Sequence, residues 1–226
     1  MLEIAPGHGR WSSYLINCAD EYIGVDLNSE CIFACQSRFA EARHATFVVN
    51  DGKSLAAVAD GSINFAFSFD SLVHVEIDVI EAYLMELSRK LSPDGIAFIH
   101  HSNLGEYNDI LLSVSRRLRG PARKWPLAYK ALVRLQLISW EHWRAPSVTS
   151  SKVVELGTKA GLVCVGQEIV NWGRHNRRLV DCFSVLTRPG SRWVRPNVVV
   201  RNPDFMNEAT SANVISNIYT SLRVRG

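Results

Sequence analysis

Met1-Leu-Glu-Ile-Ala5-Pro-Gly7-His-Gly9-Arg10 opens the chain. It reads as a short apolar strand that runs directly into a glycine-bearing turn, and Trp11 to Cys18 continues as the start of a helix. Glycine at such a turn lets a ligand come close to the main chain, because no Cβ stands in the way. The first N–H groups of the following helix point at the same place. Glu3 lies inside the strand just before the turn, where a phosphate-binding loop would not want a negative charge. A carboxylate there suits a cationic ligand. The dinucleotide fingerprint also wants a third small residue three places after Gly9, and Ser12 fits that poorly. Taken by itself, the motif has a plain strand-to-helix turn as its alternative.

Further landmarks follow in order. Tyr22-Ile-Gly-Val-Asp26 is a second apolar strand ending in an acid, which a βαβ unit places within reach of a ribose diol. Ala45-Thr-Phe-Val-Val-Asn50-Asp51-Gly52 is a third strand, and Ile63 to Phe69 a fourth that ends at Asp70. Leu91-Ser-Pro93-Asp94-Gly95 leads into a fifth, Ile96-Ala-Phe-Ile-His100-His101. Helices are predicted over 10–18, 28–41 and 78–91; in the last, Ile80, Leu84, Leu87 and Leu91 recur at amphipathic spacing. Such alternation implies a mostly parallel sheet with helices on both faces. Leu162 to Val170 and Leu179 to Thr187 are two more strands, close enough for an antiparallel hairpin.

The pattern Glu-x-Ala-x-Gly-x-Gly resembles the first motif of class I S-adenosylmethionine (SAM) dependent methyltransferases, with Ala5 where the family has its first glycine. The resemblance covers residues 1 to about 187. It implies an α/β Rossmann-like sheet of order 3-2-1-4-5-7-6 whose last strand is antiparallel. It places Glu3, Gly7, Gly9, Asp26, Asp51, Gly52 and Asp70 around SAM, with Asp51 at the adenine amino group. The family's acid early in the fourth strand is here Asn64. Phe69-Asp-Ser-Leu-Val-His74-Val-Glu76 and Ile99-His-His-Ser-Asn-Leu-Gly105 are similar to bacterial, in particular actinobacterial, sugar O-methyltransferases of methylmannose polysaccharide synthesis. That similarity implies a sugar or oligosaccharide acceptor. Small-molecule N-methylation and a SAM-binding domain without catalysis are the competing readings.

A hydroxyl acceptor must lose a proton, and histidine is the natural base near neutral pH. Candidates at the carboxyl ends of the strands are His101, favoured as nearer the open end, then His100 and His74. His100 and His101 point to opposite sheet faces, so at most one reaches the acceptor. His8 in the glycine turn is expected to touch cofactor or line the pocket. Some sugar methyltransferases bind neighbouring hydroxyls through magnesium, for which Asp70, Glu76, Glu106 and Asp109 are the carboxylates at hand, Asp70 and Glu106 being the candidates; no Asp-Asp pair follows the fifth strand.

Residues 104–148 interrupt the alternation with two helical stretches and are expected to form a lid over the acceptor. Tyr107, Trp140, Trp143 and Arg144 are its candidate substrate contacts, since flat aromatic faces suit the C–H faces of sugar rings. Residues 188–226 form a tail with a helix over 204–222 that packs on the lid or on a second copy in a homodimer. The chain starts at the first strand. Family members carry helices before it that cover the cofactor, so either this protein does without them or the chain is a shortened form.

With 226 residues, 47% hydrophobic and 21% charged, the chain has the material for one globular domain with a real core. A net charge of +3 is too weak to argue for nucleic acid. No run reaches the roughly 18 apolar residues of a membrane span. No signal peptide precedes the first strand, and five cysteines without metal-type spacing fit reduced thiols in the cytoplasm.

Overall fold

A computed structural model describes residues 1–107, 125, 127, 144–172 and 178–222. The expected lid helices, with Trp140 and Trp143, lie outside the described residues. Eight strands form one sheet in the order β3-β2-β1-β4-β5-β7-β6-β8. They are β1 (Leu2–Ile4), β2 (Tyr22–Asp26), β3 (Ala45–Val49), β4 (Ile63–Ser68), β5 (Leu91–Ser102), β6 (Val163–Val170), β7 (Asp181–Thr187) and β8 (Val198–Asn202). Strands β1 to β5 run parallel, and β7 lies antiparallel between β5 and β6. This is the sheet expected for a class I methyltransferase, extended by one strand.

Among the described residues the helices are α1 (Ser12–Leu15), α2 (Ser29–Arg38), α3 (Ile77–Lys90), α4 (Ser150–Lys159) and α5 (Phe205–Leu222). Their starts follow from capping chemistry. Asn28 Oδ1 accepts from the N–H groups of Glu30 and Cys31, and Thr149 Oγ1 from that of Lys152. The apolar stripe of α3 buries Ile80, Tyr83, Leu84 and Leu87 against Leu2, Ile4, Ala66 and Ala97 of the central strands. Those strands carry apolar residues on both faces because helices cover them.

Two features differ from the sequence expectation. The segment Leu91 to Gly95 is part of β5 rather than a separate turn; a register shift against β4 between Ile63 and Phe65 absorbs it. A Cβ at Gly95 would stand 2.5 Å from the Ile63 carbonyl oxygen, so glycine is obligatory there. The tail also enters the sheet, since Val198–Asn202 pairs parallel with Gly166–Val170 of β6. Without it the β6 edge would be left with unpaired main-chain groups.

At the end of β1 the chain turns through a left-handed step. Ala5 has φ 59°, its N–H bonds to the Val25 carbonyl at 2.7 Å, and its own carbonyl accepts from Ser71 Oγ at 3.0 Å. A non-glycine residue in this conformation costs about 1–2 kcal/mol, part of which glycine returns through its more flexible unfolded chain. Ala5→Gly should therefore stabilise the fold by about 1 kcal/mol and raise Tm by about 2–4 °C in a calorimetric scan. A lowered Tm would show that the Ala5 methyl group is held in contacts worth more than the strain.

Candidate functional site

A cleft of about 450 Å³ opens at the carboxyl ends of β1 and β4, where open α/β sheets bind ligands. Its floor is the turn Ala5 to Arg10; Trp11, Tyr14, Phe69, Asp70 and Ser71 form walls, and Arg38 closes one side. The two glycines of the turn serve different purposes. Gly7 has φ +57° and open space where a Cβ would be, so ligand can lie against its main chain. Gly9 has φ +78°, and a Cβ there would meet Phe39 at 2.5 Å. It is glycine because the turn packs on α2.

Glu3 is buried at the back of the cleft. Its Oε2 accepts from Ser12 Oγ at 2.7 Å and, closely, from the Tyr22 hydroxyl. Burial pushes the Glu3 carboxyl above its ordinary range, more than these two donors pull it down. Asp26 holds the turn from the next strand: one oxygen accepts from Gly7 N at 3.0 Å and the other from Asn28 N at 2.9 Å. Asp51 is exposed, and its Oδ1 caps the N–H groups of Lys53 and Ser54, which keeps its carboxyl below the usual range. Gly52 takes φ +80° beside it. The N–H groups of Ser13, Tyr14 and Leu15 are spent on the carbonyls of Gly9 and Trp11, so the short α1 offers fewer free donors than expected. Among the described residues Trp11 Nε1 in the wall is buried without a partner.

The other end of the cleft is built on Asp70. This residue has φ 58°, a left-handed conformation that is uncommon outside glycine, though aspartate adopts it more readily than most. His100 Nδ1 holds it, accepting from the Asp70 N–H at 3.1 Å. Because Nδ1 is an acceptor, the ring proton sits on Nε2, which donates to Asp181 Oδ2 at 3.1 Å. Phe69, Trp172 and Phe183 surround the ring, with centroids 4.5–5.1 Å away. Asp181 also receives Arg144 Nε at 2.7 Å and Nη2 at 2.9 Å, a bidentate pair buried in the protein. Burial alone would raise the Asp181 carboxyl; the donors from His100 and Arg144 outweigh it and hold it below the ordinary range.

The histidine candidates fare differently from expectation. His101 is not at the open end. It is fully buried on the other face of the sheet, with Nδ1 on the Ser102 carbonyl and Nε2 on Ser184 Oγ, both at 2.8 Å. Neither nitrogen can meet an acceptor. His100 is equally buried and has both nitrogens engaged, so it positions Asp70 rather than taking a substrate proton. His74 closes the 3-10 turn Leu72–His74 and is half-buried. His8 lines the cleft.

Tyr107 pins the chain: its hydroxyl accepts from Leu179 N at 2.9 Å. Arg144, expected at the lid surface, is instead buried in the ion pair with Asp181. Glu106 binds Ser150 Oγ and Arg201, remote from Asp70 in its contacts. Among the described residues no three His, Cys, Asp or Glu side chains converge as metal ligands, and the magnesium expectation finds no support there. Asp181 and Tyr22 escaped the sequence reading. A lone acid inside the apolar run Leu179-Val-Asp-Cys-Phe was the available signal for Asp181.

Residues 1–95 match the family described as methyltransferase domain. A protein from Pyrococcus horikoshii superposes with a TM-score of 0.56 at 20% identity, over 83% of this chain and 81% of that one. A SAM-dependent methyltransferase from Methanosarcina mazei gives 0.57 at 17% identity, over 83% and 91%. Magnesium protoporphyrin IX methyltransferase from Synechocystis, solved with bound S-adenosylhomocysteine (SAH), gives 0.56 at 14%, over 83% and 73%. No curated protein matches the chain. At these identities the structures show the fold, and the match over residues 1–95 supports a SAM-dependent methyltransferase. The cleft fits that cofactor: open space over Gly7 and the Glu3 carboxylate at its back, with Asp26 bracing the turn.

Burial of His101 has a consequence for stability. It lowers the ring pKa from 6.5 to about 4. Between these values the unfolded chain binds more protons than the folded one, so stability falls as pH drops through that window. The loss should approach roughly 3 kcal/mol at the acid end. Denaturant titrations from pH 7 to about 4 should show this slope in the wild type, and His101→Gln should lose that part of it. An unchanged slope in the variant would assign the acid sensitivity to other groups.

Proposed function

We propose that this protein transfers the methyl group of SAM to a hydroxyl of a sugar or oligosaccharide, a mannoside being one such acceptor, and that Asp70 takes the hydroxyl proton. The observation that carries this reading is the backbone of Asp70. A non-glycine residue at φ 58°, gripped through its N–H by a buried histidine, presents a carboxylate at the end of the cofactor cleft. Strain of this kind, held in place by surrounding groups, is characteristic of functional sites. A histidine base, expected from sequence, is replaced by a carboxylate that a histidine positions.

When bound, SAM supplies an electrophilic methyl group on a sulfonium. The chain's own part is to hold both partners. Glu3 offers negative charge toward a cationic amino acid moiety; Arg10 and Arg38 line the same cleft and suit its carboxylate. Asp26 braces the Gly7 turn, and an acid at the end of the second strand suits a ribose diol. Trp11, Tyr14 and Phe69 present apolar ring faces next to Asp70, which suit the C–H face of a sugar. Asp70 accepts the proton as the acceptor oxygen becomes nucleophilic. The five cysteines are free, which supports a cytoplasmic location. No described helix is long and apolar enough to cross a membrane. Exposed Val214 and Ile215 on α5 support packing against a second copy.

Calorimetry with SAH tests the cofactor half. Asp26→Ala should weaken binding about 10- to 100-fold, through the lost ribose bond and the loosened turn. A transfer assay with labelled SAM against mono- and disaccharides, with mass spectrometry of the product, tests the acceptor. Asp70→Asn should lower turnover about 10²–10⁴-fold and leave SAH affinity within a few-fold. Methylation of amines alone would replace the hydroxyl reading with N-methylation. SAH binding without any transfer would favour a non-catalytic SAM-binding protein.

A further inference from the structure

The two faces of the sheet are unequally covered. On one, α3 and α4 pack over Ala66, Ala97, Leu186 and Cys164, all of them buried. On the other, among the described residues, α1 and α2 close a core only over β1 to β3, around Tyr22 and Phe47. Farther along that face, strand register makes Phe67, Phe98, Val185, Gly166 and Val198 direct neighbours across β4, β5, β7, β6 and β8. Residues paired in this way point to the same side. Phe67, Phe98 and Val185 are partly exposed, as are Phe65 and Ile96 beside them. At the edge, Val198 and Val200 are 57% and 50% exposed. Trp11 and Phe205 touch the two ends of the ring row, at Phe67 and Phe183, with centroids 6.1 and 5.2 Å apart. A contiguous apolar face that crosses five strands is uncommon on the surface of a monomer and marks a site of association.

The complement of this face is in the same chain. Every residue of α5 from Asn207 to Asn217 is exposed, and Phe205 in its first turn is what meets the sheet. Its sequence is a weak helix former: Asn207, Thr210, Ser211, Asn213, Val214 and Ser216 all rank below alanine and leucine. Such a helix draws its stability from packing. Phe205, Ala209, Ala212 and Ile215 recur at spacing 4, 3 and 3, an apolar stripe with two small residues at its centre. Glu208 is the one charged residue in the helix sequence, and Asn202 Nδ2 donates to it at 2.8 Å. We propose that α5 of one copy lies on the Phe67–Phe98–Val185 face of a second copy, and that the exchange is reciprocal about a two-fold axis. Each chain then supplies the cover that the other lacks. The inference deepens the reading of a second copy by giving its helix a seat, and it does not depend on methyl transfer. Size and charge agree with it. Five strands span about 19 Å and a helix is about 10 Å across, so one seat covers roughly 200 Å² of plane. Each seat hides surface on both partners and the two-fold repeats it. With the relief of the side chains, the accessible area buried reaches the roughly 1,000 Å² of a specific interface. A net charge of +3 per chain sets little repulsion against the approach of two copies.

Analytical ultracentrifugation of the full chain over a micromolar concentration series tests this. The wild type should sediment as a dimer that dissociates on dilution. Ile215→Asp spoils the helix stripe and Val185→Lys spoils the seat. Each should raise the dimer dissociation constant about 10-fold or more, because the two-fold counts every substitution twice. Mixing the two variants is the decisive arm. The intact helix of the Val185→Lys chain can still lie on the intact face of the Ile215→Asp chain, so the mixture should dimerise more tightly than either variant alone. Circular dichroism checks folding, and Ile96→Lys replaces Val185→Lys if the latter does not fold. A dimer indifferent to both face variants, or a mixture no tighter than its components, would overturn the exchange and leave a second copy bound elsewhere. A wild-type monomer throughout the series would overturn the second copy as well and leave the face to a different partner. Neither result touches the transfer reaction, which is read by its own assay.

Discussion

The Asp181 carboxylate is fully buried, and the acceptor end of the site depends on how its charge is met. Three donors converge on it, one from His100 and two from Arg144. Acceptor and donors come from three parts of the chain: Asp181 from β7, His100 from β5 and Arg144 from the segment that leads into α4. A buried carboxylate stripped of such partners destabilises a fold by about 3–5 kcal/mol, so these three segments are fixed relative to one another. The constraint continues outward. With its Nε2 proton committed to Asp181, His100 can only accept at Nδ1, and the group it accepts from is the Asp70 main chain. A buried ion pair thus holds the backbone of Asp70 at the end of the cleft.

The same chain of dependence explains which parts of the site were legible in the sequence. Apolar runs gave the strands, and an acid or glycine near the end of each put Glu3, Gly7, Asp26, Asp51 and Gly52 at the carboxyl ends of β1, β2 and β3, of which Glu3 and Gly7 line the cleft. These are local signals, each contained within a few residues. The acceptor side is not local. Asp181 meets His100 from 81 residues away, and the sequence carries no mark of that pairing beyond one acid in an apolar strand. His100 and His101 show the limit most directly. Period-two alternation says that they face opposite ways, yet it does not say which face is the open one. That follows from register with β7, where His101 pairs with Cys182 and finds Ser184 beside it.

The tail was misread for a related reason. Val198-Val-Val reads equally well as a strand or as an apolar linker, and only the free edge of β6 decides between them. The helix after it was legible because its periodicity is internal. Its first residue, Phe205, closes a row of rings that runs across one sheet face through Phe183, Phe98 and Phe67, with successive centroids 5.2–5.7 Å apart. Stacked aromatic contacts at such spacing add to the burial they bring. The row ties α5 to the face on which His100 lies, so the tail supports the site from behind although no tail residue lines the cleft.

Glycine use in the first turn shows how one motif can satisfy two demands at once. Gly7 is open to the cleft, whereas Gly9 faces Phe39 and Cys35 of the α2 region. The first answers to ligand approach and the second to packing, and a sequence pattern cannot separate them because both specify the same residue. Ala5 separates a third demand, backbone handedness, from the other two. It takes the left-handed conformation without glycine, and the bonds from its N–H to Val25 and from Ser71 to its carbonyl hold it there. Ser71 follows Asp70, the other strained residue of the cleft. The two left-handed non-glycine positions are therefore linked by the hydrogen bond from Ser71 to Ala5 between the ends of β1 and β4, so that the floor of the cleft and the Asp70 carboxylate form one connected unit.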